Sequence, residues 1–248
     1  MVTNARLQGA VLFDPGGRAL TIDLEQRRSR ILWTTAVLLG LVYWLGALAR
    51  SGVAFEDLAA IPKPIIVATK GTFSLLLALS VLAAGRGGAS RLIALALAVS
   101  AVGDMLLVTV GSVAGGAAFA LAHVIAGGAY AAHRDTTART PRWLAATAVP
   151  LIAVALSWLV LRGTDQPPAM ALFPLISGGM AALAILSRFP LWLSGLGAAI
   201  FVISDVLFLA DLGILHRSGA LGYLTWASYA VGYAMVALGA ARGIDDRG

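Results

Sequence analysis

The chain contains no cysteine, which excludes disulfide bonds, thiolate metal sites and a cysteine nucleophile. Charged residues make up only 12% of its 248 positions, about half the share found in average soluble proteins. Hydrophobic residues make up 59%. So few charges cannot solvate the surface of a soluble domain of this length. The composition therefore excludes a soluble globular protein.

Familiar catalytic and ligand-binding motifs are also missing. The sequence has no H-E-x-x-H zinc motif, no G-x-S-x-G nucleophile elbow and no phosphate-binding P-loop. A zinc site needs several His or carboxylate ligands, and His123 is the only histidine deep within an apolar segment. We therefore predict no metal and no cofactor. The net charge is +6, but the basic residues lie at the ends of apolar segments, so we predict no nucleic-acid partner.

Eight apolar segments are each long enough to cross about 30 Å of hydrocarbon at 1.5 Å per residue. Most of the breaks between them carry charged or turn residues. The break at 111–115 is uncharged, but without it one apolar run over 92–132 would be far too long for a single crossing. The pattern predicts an all-α, polytopic transmembrane bundle. Its eight spans are 31–49, 64–84, 91–110, 113–133, 143–161, 169–187, 191–213 and 219–241.

The Lys and Arg residues are distributed unevenly between the two sides of this bundle. Of the 18, 13 lie on the side of the N-terminus, four lie on the opposite side, and Lys70 lies within a span. Because basic residues concentrate on the cytoplasmic side, we predict that both termini are cytoplasmic. The chain then divides into an N-terminal tail (1–30), a membrane domain (31–241) and a C-terminal tail (242–248).

Four ionisable side chains lie deep within the predicted spans, where such groups are costly and commonly functional. They are Lys70, Asp104, His123 and Asp205. In the predicted orientation they lie about 9 to 15 Å below the outer ends of four different spans. We therefore expect a single polar site that is open to the outer side of the membrane.

The two aspartates are the strongest catalytic candidates. Neighbouring buried carboxylates repel each other, so one keeps its proton unless a cation intervenes, and that division suits acid–base catalysis. Structural interpretations remain open for the other groups. Lys70 can neutralise an aspartate or extend toward the membrane interface. His123 can form a hydrogen bond between helices. For Ser204, a small hydroxyl that packs between helices is the favoured interpretation.

At these positions the sequence resembles the YhhN-type lysoplasmalogenases, a family of eight-span membrane proteins. The resemblance extends over about residues 60 to 240. The matching pieces are Lys63 and Pro64, the segment 100–107 around Asp104, then Gly116, Phe119 and His123, the segment 201–205 that ends at Asp205, and Tyr229. One position departs from the family pattern, which has Gln four residues after the tyrosine where this chain has Tyr233. A tyrosine keeps one hydroxyl but lacks the paired donor and acceptor of an amide.

The resemblance implies a hydrolase that cleaves the vinyl ether bond of a lysoplasmalogen to a fatty aldehyde and a glycerophospho-alcohol. It implies a lysophospholipid substrate and membrane lipid as partners, no cofactor, and a multi-pass protein of a bacterial-type inner membrane. Asp104 and Asp205 would be the general acid and the group that orients water, in an order that the sequence leaves open. The implied substrate-binding residues are Lys63, which would attract the lipid phosphate, and Lys70, His123, Ser204, Tyr229 and Tyr233.

Two other classes of function remain open. The first is a transporter of small molecules or lipids, in which the intramembrane aspartates, Lys70 and His123 would relay protons. Transporters commonly have helices broken by Gly or Pro at equivalent positions of two repeated halves. Pro150 and Pro174 are not equivalently placed, which argues against this class. The departure at Tyr233 suggests a lysolipid-binding membrane protein without catalysis. Lipid-facing and partner-facing surfaces have the same composition here, so the sequence does not indicate an oligomeric state.

Overall fold

The computed structural model describes residues 20–50, 62–84, 87–165, 168–215 and 219–244. These residues are all-helical except for turns and one isolated β-bridge, which confirms the prediction of an all-α protein. The α-helices are α1 (Leu20–Arg50), α2 (Lys63–Ala83), α3 (Gly88–Thr109), α4 (Ser112–Ala132), α5 (Thr140–Leu161), α6 (Phe173–Ile185), α7 (Leu196–Leu212) and α8 (Gly219–Arg242).

The helix bounds differ from the predicted segments in three places. α1 begins at Leu20 rather than at 31, because Glu, Gln and Arg are good helix formers although they are too polar for hydrocarbon. A 3₁₀ turn, Pro168–Leu172, precedes the short α6. A π-helical turn, Leu191–Gly195, precedes α7. Hydropathy alone marks an apolar run and does not separate these turns from the helix that follows them.

The predicted break between the third and fourth segments is present as a tight turn. Gly111 has a φ of +132°, which a residue with a side chain rarely adopts. A Cβ at Gly115 would lie 2.8 Å from Cα of Leu107, so the absence of a side chain there allows α4 to approach α3 closely. Two glycines thus reverse the chain without any charged loop.

Six described helices are long and apolar enough to cross a membrane, judged by length and composition. They are Glu25–Ala49, Gly88–Thr109, Ser112–Ala132, Thr140–Leu161, Leu191–Leu212 and Leu221–Arg242. The apolar helices Val67–Ala83 and Met170–Ile185 are shorter. These features are those of an integral membrane protein.

Consecutive helices run in opposite directions. Trp33 Nε1 on α1 donates to the carbonyl of Ala234 on α8, and Trp226 Nε1 on α8 donates to the carbonyl of Gly40 on α1, so these two helices are antiparallel. We call the end where the odd-numbered helices finish the upper end, and the end where the even-numbered helices finish the lower end. At the upper end, the amide of Ile214 after α7 donates to the carbonyl of Val160 on α5.

A polar clamp joins the connections at the lower end. The guanidinium of Arg142 on α5 donates to the carbonyl oxygens of Ile185 and Ser187, and to Oδ2 of Asp135 at 2.7 Å. The carbonyls at the end of a helix lack partners within the helix, so Arg142 satisfies the end of α6. Nearby, the amide of Arg188 donates to the carbonyl of His133 at 2.8 Å.

Candidate active site

Asp104 on α3 is fully buried, and its two oxygens differ: Oδ2 accepts hydrogen bonds, whereas Oδ1 makes an ion pair and no hydrogen bond among the described residues. Oδ2 accepts hydrogen bonds from the hydroxyl of Ser74 on α2 at 2.7 Å and from the hydroxyl of Tyr229 on α8 at 2.6 Å. Oδ1 lies 3.3 Å from Nζ of Lys70 on α2. Three helices therefore converge on one carboxylate, which is held in place from both sides.

Lys70 completes this cluster. Its side chain is 12% exposed, and Nζ lies 5.6 Å from the ring centroid of Trp226 and 5.8 Å from that of Tyr229. Aromatic faces attract an ammonium group, more strongly when water is excluded. The structure thus favours one of the two interpretations of Lys70 left open by the sequence, the ion pair with Asp104.

A cavity of about 690 Å³ lies beside the cluster toward the upper end. Its walls are mostly apolar side chains of α4, α6, α7 and α8. The polar side chains that line it include Lys70, Ser204 and Asp205, and Tyr229 also contributes to the wall. Asp104 does not line the cavity; Lys70 and Tyr229, which contact its carboxylate, do. The two aspartates therefore stand in different relations to the space where a ligand would bind.

Asp205 on α7 is 9% exposed, and its Oδ2 has no hydrogen-bond partner among the described residues. The hydroxyl of Ser177 on α6, which donates to the carbonyl of Pro174, lies near the same carboxyl group. Buried polar atoms are nearly always paired, so an unpaired one in a cavity wall commonly marks a functional group. Asp205 is thus one of two carboxyl groups in the cavity wall; the other, Asp211, lies one residue before the end of α7.

Two predicted site residues lie in a layer behind the cavity wall. The ring of His123 on α4 packs against Phe201 with centroids 5.0 Å apart, and its Nε2 has no partner within the described ranges. The hydroxyl oxygen of Tyr233 on α8 lies 2.7 Å from that of Ser100, and the ring of Tyr233 also packs against Phe201. Phe201 lines the cavity, whereas His123 and Tyr233 do not. The structure therefore places Lys70 and Asp205 at the cavity, and His123 and Tyr233 behind its wall.

The side chain of Lys63 lies outside the described residues, although its backbone begins α2 at the upper end. Sequence reasoning missed Ser74 and Trp226. Ser74 follows Lys70 by one helical turn, so the i, i+4 spacing on α2 was an available signal. Trp226 precedes Tyr229 by three residues on the same face of α8. Within the described ranges, no group of three His, Cys, Asp or Glu side chains is placed to hold a metal ion.

Comparison with known proteins adds one finding to this geometry. No curated protein and no solved structure matches the chain. A family model does match it, that of the YhhN family, over residues 65–240. The matched range begins in α2 and ends in α8, so it contains both aspartates, Lys70 and Tyr229. Because it covers more than half of the 248 residues, the chain belongs to the YhhN family.

Proposed function

We propose that the protein is a lysoplasmalogenase that cleaves the vinyl ether bond of a single-chain glycerophospholipid, with Asp205 as its proton donor. Membership of the YhhN family supports a lysoplasmalogenase-like hydrolase role at the level of the family. The observation that carries the finer assignment is the buried Asp205 carboxyl group, whose Oδ2 is unpaired among the described residues, beside a largely apolar cavity of about 690 Å³. That combination suits a substrate with a long hydrocarbon chain and one acid-labile bond.

In this proposal all eight helices cross a bacterial-type inner membrane and both termini are cytoplasmic. The distribution of Lys and Arg in the sequence supports the orientation, with 13 of 18 in the segments predicted to lie on the side of the N-terminus. The upper end then faces outward, and the cavity lies in the outer half of the bilayer. Lys63 begins α2 at that end, where a cation attracts the phosphate of an approaching lipid.

The reaction needs a proton, a water molecule and negative charge beside a developing cation. Asp205 gives its proton to the β-carbon of the vinyl ether, and the electron pair of the C=C bond forms the new C–H bond. The oxygen lone pair then stabilises an oxocarbenium ion. Water adds to the α-carbon of this ion, which is bonded to the ether oxygen, and gives a proton to the Asp205 carboxylate. The resulting hemiacetal collapses to the fatty aldehyde and the alcohol, so neither a nucleophilic side chain nor a redox partner is required.

Asp104 has a different part in this scheme. It is fully buried and its oxygens are engaged by Ser74, Tyr229 and Lys70, so it is a positioning residue rather than a group that touches the substrate. Its negative charge holds Lys70 at the cavity wall and offsets the charge of the ammonium group there. Lys70 and Ser204 then offer polar contacts to the glycerol and phosphate oxygens of the lipid.

The proposal is tested by following aldehyde release from a vinyl-ether lysolipid with the purified protein in detergent. Removing a general acid typically costs about 10² to 10⁴ in rate, so D205N should lose at least a hundredfold in kcat. D135N is the matched control, because Asp135 lies in the lower-end clamp, away from the cavity. Wild-type turnover by D205N, or no aldehyde from folded wild-type protein, would refute the proposal.

A further inference from the structure

α4 and α6 pack closely in the lower half of the bundle and separate toward the upper end. Gly116 and Gly127 are both on α4, about three helical turns apart, so they lie on the same face of that helix. A Cβ at Gly127 would lie 3.4 Å from Leu183 and 3.8 Å from Met180, both on α6. A Cβ at Gly116 would meet one atom, Cε2 of Phe173, at 4.0 Å. Space therefore opens between the two helices near Gly116.

The candidate cavity reaches the surface of the protein through this space. On α4 it is lined by Val113, Gly116 and Ala117, and across the gap by Leu172 and Ile176. These lining side chains are themselves exposed: Val113 by 83% and Leu172 by 56%. None of the five carries a charge. The opening faces sideways, toward the hydrocarbon of the membrane in the proposed arrangement.

The opposite side of the cavity is closed by Trp226. Its indole N–H donates to the carbonyl of Gly40 at 2.9 Å, and its ring packs against Tyr43 at 4.2 Å and Phe73 at 5.3 Å between centroids. A second apolar cavity, of about 440 Å³ between α1 and α8, lies on the far side of Trp226. With its ring held by a hydrogen bond and two aromatic contacts, Trp226 separates the two cavities.

We propose that the gap between α4 and α6 is a lateral entrance through which the substrate's single hydrocarbon chain enters and in which that chain lies during turnover. This inference rests on the proposed function, since it concerns the substrate of the same site. The entrance is continuous with the space at Asp205. Its apolar, uncharged lining suits an alkenyl chain and excludes a phosphate group, which stays toward the upper end. Gly116 keeps the entrance open because it adds no side chain.

The first test blocks the entrance. G116L places a branched side chain in the gap, whereas G128L is the matched control: a Cβ at Gly128, on the same helix, meets nothing within 4 Å. We expect G116L to lower kcat/KM for a long-chain vinyl-ether lysolipid by at least about tenfold, the scale of one misfit in an apolar pocket. A short-chain, water-soluble analogue can enter from the upper end and should be turned over as by wild type. The proposed entrance would be wrong if G116L and G128L lowered kcat/KM equally, or if G116L lowered kcat/KM equally for both substrates.

A second test does not depend on turnover. A saturated 1-O-alkyl lysolipid with a diazirine at the end of its chain cannot be cleaved by this chemistry, and it reports its position by photo-crosslinking. Adducts on 113–120 and 172–176 are expected, with G116L reducing them and G128L leaving them unchanged. Adducts on the α1–α8 side of Trp226, or spread evenly over all helices, would overturn the entrance. If these adducts appear but no substrate releases aldehyde, the proposed reaction is wrong and the entrance is still supported.

Discussion

The ring of Tyr233 stacks on the ring of Phe201 with centroids 4.4 Å apart and planes 16° apart. Tyr233 is buried behind the cavity wall, and its hydroxyl lies 2.7 Å from that of Ser100. The position at which the sequence departs from the pattern of the family it resembles is therefore a packing position. A ligand in the cavity meets Phe201 and does not meet Tyr233.

We predict that Y233Q changes stability and leaves substrate preference unchanged. The variant loses an aromatic stack and a buried hydrogen bond, together worth about 1 to 2 kcal/mol of unfolding free energy. Thermal unfolding in detergent measures the loss, with Y223Q as the control, since Tyr223 lies on the same helix outside the cavity. A change in the ratio of kcat/KM between two lysolipid headgroups would contradict this assignment.

A second prediction concerns the ion pair between Lys70 and Asp104. Breaking a buried pair on one side typically costs about 3 to 5 kcal/mol, whereas replacing both partners with uncharged groups is often close to neutral. K70M and D104N should each destabilise the protein, and the double variant should be more stable than the sum of the two losses predicts. Activity should stay low in all three variants. Additive losses in unfolding free energy would show that the two groups act independently.

Ser74 and Ser80 offer a matched comparison on α2. Both are fully buried, but Ser74 donates to Asp104 whereas Ser80 donates to the carbonyl of Leu77. Hydrogen bonds to charged groups contribute about 1.5 to 3 kcal/mol. S74A should therefore lower the unfolding free energy by about this amount and also lower kcat/KM, because the carboxylate that holds Lys70 loses a donor, whereas S80A should affect stability alone. Aldehyde release and thermal unfolding are compared for both variants; equal effects on kcat/KM would argue against a positioning role for Asp104.

The lower-end clamp predicts a pH dependence of stability. The side-chain hydroxyl and backbone amide of Thr137, together with the guanidinium of Arg142, hold the pKa of the Asp135 carboxyl below its ordinary value of 3.8. A carboxyl group with a lowered pKa in the folded state stabilises the protein above its ordinary pKa, and this contribution is lost as the pH falls through the lowered value. Wild type should therefore lose thermal stability below about pH 4. D135N should show a smaller change over the same range, and an identical change in both proteins would exclude this origin.

Much of the fold was predictable because hydrocarbon imposes a length on each apolar run. The predicted segments for α2, α3, α4 and α8 differ from the helices by no more than three residues at either end. The 3₁₀ turn before α6 and the π-helical turn before α7 were missed, since both are as apolar as the helices they join. Packing sets these turns: a Cβ at Gly195 would lie 3.3 Å from Cα of Ile185.

The candidate site was predictable in its members but not in its arrangement. The cost of an ionisable group in hydrocarbon singles out Asp104 and Asp205. Which one faces the cavity depends on the rotation of α3 and α7 about their axes. In these helices apolar residues cover every face, so the sequence has no polar stripe from which that rotation can be read. The different environments of the two carboxyl groups are therefore visible only in the structure.

The shortness of α6 has a consequence for the membrane around it. With the 3₁₀ turn that leads into it, the apolar helix Met170–Ile185 measures about 25 Å along the axis, against about 30 Å for the hydrocarbon layer. A bilayer accommodates such a mismatch by thinning next to the short helix. The gap between α4 and α6 then opens into the thinnest part of the surrounding lipid, where headgroups lie closest to the depth of Asp205. For the proposed reaction, bilayer thickness thereby becomes a physical variable of turnover, set by the acyl chains of neighbouring lipids rather than by any side chain of the protein.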